Sequence, residues 1–192
     1  MPQPKHLMKL KLPAPKGQPN DDDLKKFFAK CQEKLGMVPN VIRAVAQNPK
    51  KARTFIAMYN ELMLGDSGLT KLEREMIAVV VSSCNRCYYC LVAHGQAVRQ
   101  LSADPQLGEM MVMNYRVAEL PGRQRAMLDF AWKLTASPFD VNDADRQALR
   151  KAGFSDPDIY DIGDTVAFFN LSNRLAHATE MMPNVEYHKQ SR

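Results

Sequence analysis

At 192 residues, 45% hydrophobic and 24% charged, the chain has the make-up of a globular protein large enough to bury a core without disulfide staples. Its net charge of +5 is spread thinly, through residues such as Lys5, Lys25, Lys50 and Arg53. No basic block interleaved with aromatics appears, which argues against a nucleic-acid role. No apolar run approaches the roughly 20 residues of a membrane span, and the start, Met1-Pro-Gln-Pro-Lys-His6, lacks the apolar core of a signal peptide. The expectation is therefore a cytoplasmic protein with neither membrane nor nucleic acid as partner.

Residues 1–20 carry five of the twelve prolines and read as an extended arm ahead of a single domain over residues 21–192. Such an arm is ordered only by lying on its own domain or on a partner. Asp21, Asp22 and Asp23 suit the positive end of a helix that carries Leu24, Phe27, Phe28 and Cys31 and stops at Gly36. Pro39 opens a second, short helix, and Pro49 a third that ends before Gly65. Thr70-Lys-Leu-Glu73 is a capping box that launches a fourth helix. That helix is rich in β-branched residues, Val79 to Val81 among them, so propensity alone would allow a buried strand. The capping box and the helical segments on either side decide for a helix. Asn85 interrupts it, and a new helix starts near Cys87 and runs to about Leu101. Further helices span about 105–115, 122–136, 142–152 and 156–182, with breaks at Ser137-Pro138 and Gly153. No alternating strands with hairpin turns appear, so the fold expected is all-α, with seven to nine helices.

The chemistry concentrates in Cys84-Asn-Arg-Cys87-Tyr-Tyr-Cys90-Leu-Val-Ala-His94, where three of the four cysteines and one of the four histidines fall within eleven residues. In a reducing compartment a Cys-x-x-Cys pair points to catalysis or metal binding rather than to a structural bridge. On a helix, Cys87 and Cys90 share a face, a spacing that permits a disulfide, and the helix start favours thiolate over thiol. His94 lies one turn beyond Cys90 and is placed to take its proton. Glu75, on the preceding helix, reaches the same place if the two helices form a hairpin. Cys90, His94 and Glu75 then supply nucleophile, base and orienter, with Cys87 to resolve the oxidised sulfur. As separate residues, Glu75 would be a solvated helix-surface acid and His94 an ordinary core or surface histidine. A competing reading takes Cys84, Cys87, Cys90 and His94 as a Cys3His zinc or iron–sulfur site. Against it, a continuous helix from Cys87 to His94 points these groups along one stripe rather than around a tetrahedron. A third reading is a redox sensor or helical oligomeric scaffold without turnover. Asn170, Asn173, Arg174 and His177 form a second polar stripe on one face of the last helix, placed for a pocket, an interface or an exposed face. Cys31, in its helical pattern, reads as a small buried hydrophobe.

The stretch Glu75-x11-Cys87-x2-Cys90-x3-His94 resembles the signature of alkylhydroperoxidase D-like proteins in the carboxymuconolactone decarboxylase superfamily. The wording Arg74-Glu75-Met-Ile-Ala-Val, Met37-Val-Pro-Asn40 and Asn173-Arg174-Leu-Ala is similar to its branch of uncharacterised peroxidase-related proteins. The resemblance implies an all-α antioxidant protein, an obligate homo-oligomer (dimer, trimer or hexamer), that reduces a small hydroperoxide and is restored by a dithiol reductant. By position it makes Cys90 the attacking cysteine, Cys87 the resolving one, and Glu75 and His94 the proton relay, with no cofactor or metal. Tyr89 stands where the best-studied members have a histidine, and Cys84 is an additional thiol.

Overall fold

The chain is all-α in the computed structural model, which describes residues 3–12 and 21–192. Nine α-helices, and no strand, occur among the described residues: α1 (Asp22–Leu35), α2 (Asn40–Val45), α3 (Pro49–Leu64), α4 (Lys71–Cys84), α5 (Tyr88–Ser102), α6 (Pro105–Asn114), α7 (Gly122–Ala136), α8 (Asp143–Lys151) and α9 (Asp156–Thr179). Single 3-10 turns follow at Tyr115–Val117, Pro138–Asp140 and Val185–His188. Among the described residues no helix is long and apolar enough to cross a membrane.

Short polar signals set the helix ends. The Asp21 carboxylate accepts from the Leu24 amide, and Gly36 closes α1 in the left-handed region at φ +72°. The Thr70–Glu73 capping box forms in full, as do a Ser155–Asp158 box at α9 and an Asn142–Asp145 box at α8. The last helix stops earlier than its apolar pattern indicates, because Glu180 turns into the left-handed region at φ +47°.

Helix α4 is the axis of the molecule. Every residue from Met76 to Val81 is 0% exposed, and α3, α5, α6, α7 and α9 pack around it. A helix apolar on all sides has to be central, and here burial overrides the strand propensity of its valines. Arg74, at its start, is buried with its charge spent on backbone oxygens: Nε and one terminal nitrogen donate to Leu69 O, the other to Leu62 O. The end of α3 is thereby tied to the beginning of α4.

Two smaller apolar clusters flank this core. One joins α1, α2 and α3 through Leu24, Cys31, Val38, Ile42, Ala52 and Ile56. The other gathers Met37, Cys87, Tyr89, Cys90, Ala93, Ala176, Met181 and Tyr187, with Leu7 and Met8 of the N-terminal segment packed against it. Residues 3–12 hold no helix or strand and lie along the end of α9: Lys9 N donates to Thr179 O, Met182 N to Leu7 O, and Lys9 Nζ pairs with Glu180. Half of the proline-rich arm, including Pro2, Pro13, Pro15 and Pro19, lies outside the described residues.

Candidate active site

The α4–α5 hairpin builds the site. Helix α4 ends at Cys84, Asn85 caps it, and Arg86 turns through φ +53°. Cys87 is the N-cap of α5, one position before the first turn, and its amide donates back to Ser82 O at 2.9 Å. The tight reversal lays α5 against α4 and brings Glu75 opposite His94. Glu75 Oε2 and His94 Nδ1 are 2.6 Å apart, with side-chain exposures of 11% and 13%. A carboxylate on Nδ1 fixes the imidazole's orientation and puts the proton on that nitrogen. Nε2 has no protein hydrogen-bond partner among the described residues. The ring stands edge-on to Phe169, with centroids 4.6 Å apart.

Cys87 and Cys90 are buried, 1% and 0% exposed, and both are free thiols. Their titrations part company. The Cys90 thiol donates to Cys87 and, against the cost of burial, holds it down to about 7; the Cys90 amide and the charges of His177 and His94 act in the same direction. Cys90 is pushed well above the usual thiol range, first by keeping that shared proton, then by burial and by the charge of Cys87. Asn173 and Ser172 oppose this through hydrogen bonds to the Cys90 sulfur. Once Cys87 ionises, the pair carries one proton and one charge, and the charge rests at the helix N-cap, as peptide dipoles favour. The residue expected in the first turn of α5 is therefore its cap, and it is the better thiolate of the two.

The polar stripe of α9 faces this hairpin. Asn85 Nδ2 donates to Asn170 Oδ1 and Asn173 Oδ1, both at 3.0 Å, and Asn173 Nδ2 donates to Ser82 Oγ at 3.1 Å. His177 Nε2 is 2.9 Å from Asn85 O, and Arg174 donates to Asn170 Oδ1 at 2.7 Å. Asn173 is 0% exposed while Arg174 and His177 are exposed, so the stripe is buried on one edge and surface on the other. Cys84 is half-buried, and burial raises its thiol despite the Arg116 charge. Among the described residues, no three or more His, Cys, Asp or Glu side chains converge as a metal cage. Cys84, Cys87, Cys90 and His94 therefore do not form the ligand set that their spacing allows.

Where the three apolar clusters meet lies a cavity of about 270 Å³. Its polar end holds Glu75, His94, Ser172, Tyr59, Tyr89 and Tyr187; its walls are apolar, from Phe27 and Cys31 of α1, Ile42 of α2, Phe55 and Ile56 of α3, and Phe168 of α9. Burial pushes all three phenols up, with the Glu75 charge adding to the effect at Tyr59 and Tyr187. They stay protonated as hydrogen-bond donors at any physiological pH. Tyr89 accepts from Val41 N at 3.0 Å and donates to Tyr187. Sequence reasoning missed Tyr59, Ser172, Tyr187 and the placement of Cys31 on this cavity. Only the helical spacing of Tyr59 with Phe55 gave any local signal.

The sequence matches the carboxymuconolactone decarboxylase family over residues 49–114, the span that contains Glu75, Cys87, Cys90 and His94. No curated protein matches the chain. Among solved structures, an uncharacterised peroxidase-related protein from Silicibacter sp. TM1040 is 61% identical, with a TM-score of 0.94 over 100% of both chains. An uncharacterised peroxidase-related protein from Ralstonia eutropha JMP134, described as an alkylhydroperoxidase AhpD core, is 43% identical, with a TM-score of 0.91 over 98% of each chain. The debrominase Bmp8 shares the fold, with a TM-score of 0.75 at 19% identity over 88% of this chain and 89% of its own. With the first two relatives matching essentially end to end, the chain belongs to the carboxymuconolactone decarboxylase family, among its AhpD-like, peroxidase-related members.

Proposed function

We propose that the protein is a thiol peroxidase that reduces an organic hydroperoxide through a disulfide between Cys87 and Cys90. The observation that carries this reading is the Glu75–His94 hydrogen bond at the wall of an apolar cavity, one helical turn beyond a thiol pair that shares a single proton. The organic part of the peroxide occupies the cavity, and its O–O group lies toward Ser172, which touches both the cavity and the Cys90 sulfur. For that reason Cys90 is the attacking sulfur. Its proton passes to Cys87 along their hydrogen bond as the attack begins. Cys90 sulfur bonds the distal oxygen, the O–O bond breaks, and the leaving alkoxide takes the proton of Cys87, relayed through Nε2 of the His94 imidazole that Glu75 holds in place. Cys87, again a thiolate, displaces hydroxide from the Cys90 sulfenic acid and closes the disulfide. In balance, one thiol, one thiolate and ROOH give one disulfide, ROH and hydroxide.

A dithiol donor returns the disulfide to thiols by exchange. A homo-oligomer and a cytoplasmic setting belong to the same reading. A redox sensor would use the same thiols without rapid return. The decisive experiment is thiol titration with intact mass before and after one equivalent of an organic hydroperoxide. Loss of two thiols and two hydrogens, mapped to Cys87 and Cys90, is expected. Unchanged thiols sink the reading, and a disulfide that no dithiol reduces in repeated cycles identifies a sensor.

A further inference from the structure

The cavity accounts for one side of the thiol pair. The other side is the corner where α4 turns into α5, and nothing in the peroxidase reading uses it. Cys87 lies directly beneath this corner: it follows Asn85 and Arg86 in the chain, and the charge of His177 reaches its sulfur. The surface there is basic. Arg86, Arg174 and His177 are exposed, and Arg174 is joined to Asn85 through the Asn170 side chain. Arg116 lies farther along the same corner, beside Cys84 and over the rings of Tyr115 and Trp132. None of the three arginines forms an ion pair with a carboxylate among the described residues. Two nearby carboxylates are engaged elsewhere: Asp129 accepts from Tyr115 and Glu180 pairs with His6 and Lys9.

Uncompensated guanidinium groups exposed at the corner next to a buried reactive sulfur attract a negatively charged reactant and raise its local concentration. We infer that this corner is where the dithiol reductant enters, and that it takes a small anionic one, bearing a carboxylate or sulfonate that Arg86 and Arg174 hold. The inference rests on Cys87 and Cys90 forming a disulfide. A slender reductant is required because Cys87 is 1% exposed, beyond the reach of a cysteine set in a flat protein face.

The exchange balances in two steps. The reductant thiolate attacks Cys87 Sγ, the Cys87–Cys90 bond breaks, and Cys90 leaves with the electron pair, its sulfur accepting hydrogen bonds from Ser172 and Asn173, and then takes up the proton released as the reductant's second thiol ionises. A second thiolate attacks the reductant's sulfur in the mixed disulfide and expels Cys87. The cap position that stabilises the Cys87 thiolate makes it the better leaving group for this step. Two thiols are oxidised to their disulfide as the protein gains two electrons.

The test uses the full chain, oxidised to its disulfide with a stoichiometric disulfide reagent rather than a hydroperoxide. Reduction rates are compared, per thiolate, for 2-mercaptoethanesulfonate, 2-mercaptoethanol and cysteamine. The anionic thiol is expected to lead the cationic one by about tenfold at low ionic strength, with the gap closing as salt is added. The gap collapses in Arg86→Gln/Arg174→Gln and persists in Lys151→Gln on the distant α8. Arg86→Gln alone serves if the double variant does not fold. Equal rates for the three thiols, or a gap that the arginine variants leave unchanged, overturn the inference. A charge preference that holds while hydroperoxides fail to oxidise the pair would instead remove the peroxidase reading and leave the reductant site standing.

Discussion

Glu75 Oε2 lies 2.6 Å from His94 Nδ1 across the α4–α5 hairpin, joining residues nineteen apart in sequence inside a largely buried site. A carboxylate so placed orients the imidazole and stabilises whatever positive charge it gains or holds in proton transfer. Glu75→Gln keeps the volume and an acceptor oxygen but removes the charge. The expected result is a fall of about 100-fold in single-turnover disulfide formation, with helical content unchanged by circular dichroism. An unaltered rate would take Glu75 out of the mechanism.

The shared proton of the cysteine pair gives a second prediction. Cys87 is held at about 7, first by the Cys90 thiol that donates to it. As pH falls through 7 the thiolate is protonated, and as pH rises from 6 to 8 it fills. Thiolate ultraviolet absorbance should follow a single step centred near 7, with Cys84 and Cys31 silent in that range because burial raises both. Cys90→Ala removes the donor and moves the step upward; Cys90→Ser keeps a hydroxyl donor and moves it less. A step that stays in place in Cys90→Ala would show that the helix cap and the histidines set it alone.

Much of the helical framework and half of the site were legible in the sequence, for local reasons. Thr70, Glu73, Asp21, Ser155 and Asn142 mark helix starts by hydrogen bonds made within three residues. Cys90 and His94 lie on one face of one helix with Cys87 at its cap, and Glu75 joins them by a single hairpin. The cavity was not legible, because its walls come from α1, α2, α3, α9 and the C-terminal turn, and no local pattern encodes their meeting. Val41 N bonds Tyr89 across 48 positions, and Asn85 bonds Asn173 across 88. The displacement of Cys87 from first turn to cap was equally hidden, since it depends on the left-handed turn at Arg86.

The cavity predicts discrimination by substrate size. Ala97, half-buried on α5, lines it one turn beyond Ala93 and clear of the cysteines. Ala97→Phe fills part of the space. A bulky aromatic hydroperoxide should lose about tenfold in kcat/KM, within the range that a filled apolar pocket discriminates, while hydrogen peroxide is unaffected. Equal losses for both substrates would mean that the residue acts on the fold or on the chemistry rather than on the cavity.

The glycine that follows His94 is explained by a close approach of two helices rather than by chemistry. A Cβ built on Gly95 would stand 2.7 Å from Val112 Cγ2 of α6, and one on Gly108 of α6 would stand 2.3 Å from Arg99 Cγ and 3.3 Å from Gly95 O. Neither neighbour is free to yield: Val112 packs against the main core, and Arg99 is buried with its guanidinium on Tyr187 O and Gln190 O. Alanine is the better helix former, worth about 1 kcal/mol in an open helix. Here overpacking outweighs that gain. Gly95→Ala should lower stability by about 1–3 kcal/mol in a denaturant melt, with the m-value unchanged. Forcing α5 outward also moves His94 from Glu75, so the same variant should slow disulfide formation. Gly122→Ala, at the start of α7 with open space around its Cβ position, is the matched control and should be neutral or stabilising. A Gly95→Ala protein as stable as that control would mean that α5 and α6 have room to separate, and that the glycine has another cause.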